Sequence, residues 1–195
     1  MARVEHYFTR FEEGTFYHVY NRTVDKKPLF INEGNNDFFL QKFNHYLSDV
    51  IEVYAYCLLQ NHFHFLIRIP DNLDHFRAIN HLSTVISTHE IVSKQFRIFF
   101  QSYALSFNKQ QNRCGTLFQT PFKRARVKDN RYLINLIFYI HTNSQKHELV
   151  SDFRKWKWSS YHQIMLGNNT EIQKQIISWF GNKDDYINFH NFDNL

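Results

Sequence analysis

Gln60-Asn61-His62-Phe63-His64-Phe65-Leu66-Ile67 is a short apolar run carrying two histidines one residue apart. Side chains of a β-strand alternate between faces, so His62 and His64 share one face with Leu66 and Arg68, while Phe63, Phe65, Ile67 and Ile69 share the other. The pattern predicts a strand with one face for a core and one for chemistry. Two neutral imidazoles side by side on rigid backbone can form half of a divalent-metal site; in a chain with 12 His such a pair is more often two hydrogen-bonded or surface histidines. The residues alone leave both readings open. Val53 to Leu59 reads as a preceding strand, and only Gln60 and Asn61 separate the two, which predicts a tight antiparallel hairpin.

Outward from this hairpin, residues 15 to 22 are rich in aromatic and β-branched types and read as a first strand. Phe39, Phe43, Tyr46 and Val50 fall at helical spacing behind the caps Asn35 and Asn36, predicting a helix from about 36 to 50. Downstream, Pro70 and Asp71-Asn72 end the histidine strand and open a helical stretch broken between Ser83 and Ser87. Its second half puts Val92, Phe96, Phe99, Tyr103 and Phe107 on one stripe, most simply core. Phe122 to Lys128 reads as a fourth strand. A helix from about 130 to 142 follows, with Tyr132, Leu136, Tyr139 and Asn143 at spacings of four, three and four, so Tyr139 and Asn143 share a face. A tyrosine on such a stripe is usually core with its hydroxyl bonded. The tail, with Trp156, Trp158 and Tyr161, then Ile172 to Phe180 and Asp184 to Phe192, predicts small capping helices punctuated by Gly167 and Gly181.

A chain of 195 residues is long enough for one well-buried domain. Aromatic residues make up 18%, enough for a heavy core with rings to spare for stacking. The net charge of +5 points weakly to a polyanionic partner. From Lys109 to Arg131, seven basic residues (Lys109, Arg113, Lys123, Arg124, Arg126, Lys128, Arg131) stand against the single acid Asp129, with Phe118 and Phe122 interleaved. Cations for phosphates and rings for bases suit single-stranded nucleic acid; a solvated basic strand edge is the plainer alternative. Cys57 lies in an apolar run and Cys114 is the other cysteine, so neither a disulfide framework nor a cysteine zinc site is indicated. No apolar signal region opens the sequence and no stretch of 18 apolar residues occurs, so the expected location is the cytoplasm, without a membrane.

Five stretches in order carry a resemblance: Tyr17-His18-Val19-Tyr20-Asn21-Arg22, Ala55-Tyr56-Cys57-Leu58-Leu59-Gln60-Asn61-His62-Phe63-His64, Gly115-Thr116-Leu117-Phe118-Gln119-Thr120-Pro121-Phe122-Lys123, Tyr139-Ile140-His141-Thr142-Asn143 and Trp158-Ser159-Ser160-Tyr161. Over most of residues 15 to 162 the sequence resembles the REP-associated tyrosine transposases, a branch of the single-tyrosine HUH transposase family. The resemblance implies an α+β fold: a ferredoxin-like βαββαβ core, antiparallel sheet packed on helices, with an added tyrosine-bearing helix and C-terminal helices. It implies a single domain over 1 to 195, with the catalytic core over 15 to 150 and a helical appendix over 151 to 195. It also implies that His62 and His64 are metal ligands, that Asn143 is a third, and that Tyr139 is the nucleophile. Such a tyrosine attacks single-stranded DNA beside a hairpin, leaving a 5′-phosphotyrosine link and a free 3′-hydroxyl. The expected cofactor is a divalent metal, Mg or Mn. The expected DNA-binding residues are Asn21, Arg22, Lys109, Arg113, Phe118, Lys123, Arg124, Arg126 and Lys128. Monomer and homodimer stay open.

The implied chemistry is physically coherent. A free tyrosine has a pKa near 10, so only about one in a thousand is ionised at pH 7 and the hydroxyl alone is a poor nucleophile. A metal on the phosphate oxygens contributes several kcal/mol. The phosphotyrosine retains a phosphodiester-level bond, so a later 3′-hydroxyl can rejoin strands without ATP. Two other readings compete: a noncatalytic single-strand binder on the same scaffold, and a zinc hydrolase using His62 and His64 with a carboxylate or third histidine. The amide of Asn143 argues against zinc. The chain departs from the common family pattern after Asn143, where Ser144 stands for proline and His147-Glu148 for a small-residue pair, and over the longer stretch 72 to 100.

Overall fold

Alternating apolar and polar residues build one antiparallel sheet in the computed structural model, which describes residues 9–166 and 170–191. Its strands are β1 (Phe16–Arg22), β2 (Glu52–Leu59), β3 (His62–Arg68) and β4 (Lys123–Arg126), in the spatial order β2-β3-β1-β4. Helix α1 (Glu33–Leu47) joins β1 to β2; α2 (Asp74–Ile79) and α3 (Thr88–Gln110) join β3 to β4. This is the expected ferredoxin-like βαββαβ core. The added helix α4 (Asn130–Lys146) follows, then a 3₁₀ turn (Phe153–Lys155) and helices α5 (Tyr161–Leu166), α6 (Glu171–Phe180) and α7 (Lys183–Asn191). Gly167 and Phe192 of the expected tail lie outside the described residues. No helix among those described is long and apolar enough to cross a membrane.

Local chemistry sets the element ends. The β2–β3 hairpin pairs Leu59 with His62, so Gln60 and Asn61 are the two-residue turn that the spacing predicts. Helix α1 begins about three residues earlier than expected because Asn32 is its cap, accepting from the Asn35 backbone N–H. The predicted caps Asn35 and Asn36 are instead buried inside the helix. Ser87 and Glu90 form a reciprocal capping box that starts α3, which places the break where it was expected. Helix α4 is capped by Asp129 and runs one turn past the predicted end at 142. Ser144 keeps a backbone N–H where a proline would have removed it, so nothing stops the helix at Asn143.

The two faces of the sheet bury different cores. On the first, Tyr17, Val19, Phe63, Phe65 and Ile67 pack against the α1 and α3 stripes, including Phe39, Phe43, Phe96, Phe99 and Tyr103. Phe39 is fully buried, with its ring within about 6.4 Å of Phe30, Phe43, Phe63, Phe65, Phe99 and Tyr103. Phe39→Ala should therefore destabilise by about 3–5 kcal/mol. Urea unfolding checks this; a loss below about 1 kcal/mol would mean that the site collapses around the missing ring.

The second face carries Ala55, Cys57, Leu59 and Leu66 beneath Leu133, Leu136, Ile137 and Ile140 of α4. A register shift between Val53 and Ala55 lets Tyr54 join the same side, where it stacks on Trp179 at 5.3 Å. Phe153, Tyr161, Ile164, Ile176 and Tyr186 of the tail complete this core. The Trp158-Ser159-Ser160-Tyr161 motif covers the exposed edge of β2: Leu58 N–H donates to the Trp158 carbonyl, and Ser160 N–H to the Tyr56 carbonyl. An edge strand's unpaired backbone groups are thereby satisfied.

Candidate active site

Strand alternation puts a row of polar side chains on the second face. Across the β3–β1 ladder His62 faces Arg22, His64 faces Tyr20 and Leu66 faces His18; beyond β1, Tyr20 faces Lys123 and His18 faces Ala125. Helix α4 packs chiefly over β2 and β3, leaving the β1 and β4 side as an open cleft along its flank. Tyr132, Leu136, Tyr139, Asn143 and His147 recur at helical spacing on the flanking stripe. The two predicted faces, histidine strand and tyrosine helix, do meet. The Tyr139 ring stands edge-on to His64 at 5.6 Å and to His18 at 6.1 Å, and the residue is 36% exposed.

Hydrogen bonds orient both imidazoles. Nδ1 of His62 lies 2.7 Å from Asn61 Oδ1, and Nδ1 of His64 lies 2.9 Å from Nε2 of the buried His18. With Nδ1–H donating in each case, both histidines keep an Nε2 lone pair for a ligand, the orienting role that outer partners play in metal sites. Asn143 is buried, and its amide nitrogen donates to the Tyr139 carbonyl at 2.7 Å, so its Oδ1 is the atom able to ligate. Among the described residues no group of three or more His, Cys, Asp or Glu is placed to share an ion. The donors on offer at this end of the cleft are the imidazoles of His62 and His64, with the buried Asn143 amide oxygen on the flanking helix stripe as a candidate third, a set that would suit manganese or magnesium better than zinc.

Burial holds the His64 imidazole well below its usual pKa, helped by His18, His62 and His147 nearby. Burial, then His147 and Arg22, takes His62 down to about 4. Both are thus neutral near pH 7, the ligating form. A second buried pair behaves alike: His141 lies 3.1 Å from His190 and 2.9 Å from Ser160 Oγ, and burial lowers both, His190 to about 4. For a depressed folded pKa, stability is complete above the unfolded value of 6.5 and falls with pH from there toward about 4. Each such histidine contributes up to about 1.4 kcal/mol per pH unit in that window. Thermal unfolding should show Tm dropping steadily as pH falls below 6.5; a flat Tm would mean that these imidazoles charge without penalty.

The basic residues separate by face. Arg22 and Lys123 line the cleft with Gln119 and His147. The Arg22 Nε is buried without a hydrogen-bond partner, a donor suited to an anion. Lys146 adds a cation 5.4 Å from the Tyr139 ring. The other expected DNA-binding residues are placed differently with respect to the cleft. Arg124 points to the opposite side of β4, buried, donating to the Thr9 carbonyl and lying over Phe11 and Phe122. Arg126 shares that side and pairs with Glu12. Phe118 is buried in the first core and offers no stacking face. Asn21, by contrast, lines the cleft, where its amide nitrogen donates to the Gln119 carbonyl. Arg113 is bound to Asp25 and Asn108; it, Lys109 and Lys128 do not line the cleft. His18, Tyr20 and His147 also line the cleft and are not among the residues the sequence singles out for the site. Period-two spacing of His18, Tyr20 and Arg22, and helical spacing of His147 after Asn143, were the signals that could have found them.

Comparisons with known proteins bear on the family resemblance and the fold. A Haemophilus influenzae protein, assigned by inference as a REP-associated tyrosine transposase, is 27% identical over 185 residues, covering 93% of this chain and 96% of that protein. The resemblance to the REP-associated tyrosine transposases is borne out. A solved REP-associated tyrosine transposase, bound to a REP hairpin, superposes with a TM-score of 0.63 at 15% identity, over 86% of this chain and 88% of its own. That transposase shares the fold. No family model matches the chain.

Proposed function

We propose that this chain is a metal-dependent single-tyrosine DNA transposase that nicks and transfers single strands beside a hairpin through a 5′-phosphotyrosine link. The observation that carries this reading is the exposed Tyr139 ring standing edge-on to His64, with His62 adjacent, in a cleft bordered by Arg22 and Lys123. His62, His64 and Asn143 would hold a magnesium or manganese ion, which when bound supplies charge stabilisation on a phosphate oxygen. The chain's own residues do the rest. Arg22, Lys123 and Lys146 bind phosphates of the strand and hold the scissile group against Tyr139. The Tyr139 oxygen attacks phosphorus, its proton leaving to solvent, and the bond to the 3′-oxygen breaks; that oxygen takes a proton from solvent and departs as the strand's 3′-hydroxyl. His18 acts behind His64, fixing its ring rather than touching substrate.

Two experiments follow. Wild-type protein incubated with end-labelled single strands carrying a hairpin should give an adduct that survives a denaturing gel, retains the label of the 5′-phosphate side and needs manganese or magnesium. Binding without any adduct would favour the noncatalytic reading. Separately, three phosphate contacts predict that the log of affinity falls by about 2 per tenfold rise in salt, from about 0.7 per contact on single strands. Lys123→Ala should reduce that slope by about 0.7, and Arg126→Ala, on the other side of the sheet, should leave it unchanged. Equal slopes in all three proteins would place the strand elsewhere.

A further inference from the structure

The cleft does not end at Tyr139. Toward the start of α4 it opens into a second half of about 460 Å³, sharing Tyr20, His64 and Tyr139 with the cation-lined half. Its remaining lining is His18, Ala125, Tyr132, Asn135 and Leu136, with no Lys, Arg, Asp or Glu among them. Tyr132 is 42% exposed, a large ring presented to the cleft. Asn135 is exposed and makes no side-chain hydrogen bond among the described residues. Ala125, with a single methyl, makes the floor between Lys123-Arg124 and Arg126; any longer side chain there, on the same face as His18, would fill the space.

We propose that this half of the cleft binds one unstacked nucleobase next to the scissile phosphate and that Asn135 selects adenine there. The inference rests on the proposed reading of the cleft as the track of a single strand. A strand crossing Tyr139 carries alternating chemistry, anionic phosphate and flat uncharged base. The two halves present the matching alternation, cations on one side of Tyr139 and neutral rings on the other. Base stacking on a tyrosine is favourable for every base, so Tyr132 supplies affinity without choice. Choice needs a paired donor and acceptor, and an asparagine amide matches the N6 donor and N7 acceptor of adenine. A cleft of this volume lies within the range of small-ligand sites. Its contiguity with the nucleophile fixes which base is read: the one attached to the sugar beside the bond that breaks.

The test separates this inference from the transfer chemistry. In the first arm, wild-type protein is allowed to form adducts on a pool of hairpin-bearing single strands randomised around the cleavage point. The captured strands should be enriched for adenine at one position flanking the break, roughly tenfold or more over the other bases. Asn135→Ala should flatten the preference at that position while other positions keep theirs; an unchanged preference would overturn the assignment. In the second arm no cleavage is needed. Tyr139→Phe protein is titrated with strands carrying 2-aminopurine at successive positions. One position should show quenching by the ring, and Ala125→Phe should abolish it by filling the floor. Because 2-aminopurine has no N6 amine, this arm reports stacking in the pocket and not the choice by Asn135; if quenching at every position survives Ala125→Phe, the pocket does not hold a base, whatever the outcome for covalent chemistry. If adducts never form but the quenching behaves as stated, the base pocket stands and the transfer reading fails.

Discussion

Tyr139→Phe is expected to abolish covalent capture of DNA completely while leaving fold and strand binding intact. The substitution removes one oxygen from a ring that is 36% exposed, and among the described residues no hydrogen bond of that hydroxyl is found, so no buried partner is left unsatisfied. The ring keeps its edge-on contacts with His64 and His18 and its neighbouring cation, Lys146. What disappears is the only atom of that side chain able to bond to phosphorus. Tyr161 makes the comparison: it is buried in the second core, away from the cleft, and Tyr161→Phe should retain the adduct. The check is a denaturing gel with labelled strands, peptide mapping of the wild-type adduct, and salt-dependent binding for both variants. An adduct that maps to another residue, or full yield from Tyr139→Phe, would end the assignment.

How far the sequence carried depends on whether a feature is periodic. The histidine strand, the Val92–Phe107 stripe and the tyrosine helix each repeat at the spacing of their element, and each appears in the structure with the face that the spacing dictates. The partners across the ladder are not periodic in one segment. That His18 would orient His64, or that Ala125 would floor the cleft, depends on the β1–β3 and β1–β4 registers, which only pairing reveals. The basic stretch divides for a related reason. Composition groups its cations together, yet on a strand consecutive residues face opposite ways, so Lys123 enters the cleft while Arg124 is buried against Phe11 and Phe122. Likewise the Trp158-Ser159-Ser160-Tyr161 motif has no legible role until β2 is seen to need an edge cover.

Removing the two strand histidines together, His62→Ala with His64→Ala, is expected to eliminate metal binding and to slow adduct formation by about three orders of magnitude. Both rings are neutral near pH 7 because burial opposes their protonation, so the wild-type site needs to release no proton to take an ion. Manganese should therefore raise the wild-type Tm, by the equivalent of about 2.7 kcal/mol at a hundredfold excess over Kd, and should leave the double variant unmoved. If the ion contributes about 4 kcal/mol to the transition state, its loss slows capture by about a thousandfold. The structural side of the change is smaller and distinguishable. Truncating His64 leaves Nε2 of buried His18 without its partner, which costs about 1–3 kcal/mol and should lower Tm equally with or without metal. His18→Ala serves as the contrast, because it frees the His64 ring to turn without deleting a proposed ligand. Metal-dependent stabilisation should weaken there and not vanish. Undiminished capture in excess chelator, or a manganese-induced Tm shift that persists in the double variant, would show that the ion is held elsewhere or is not used.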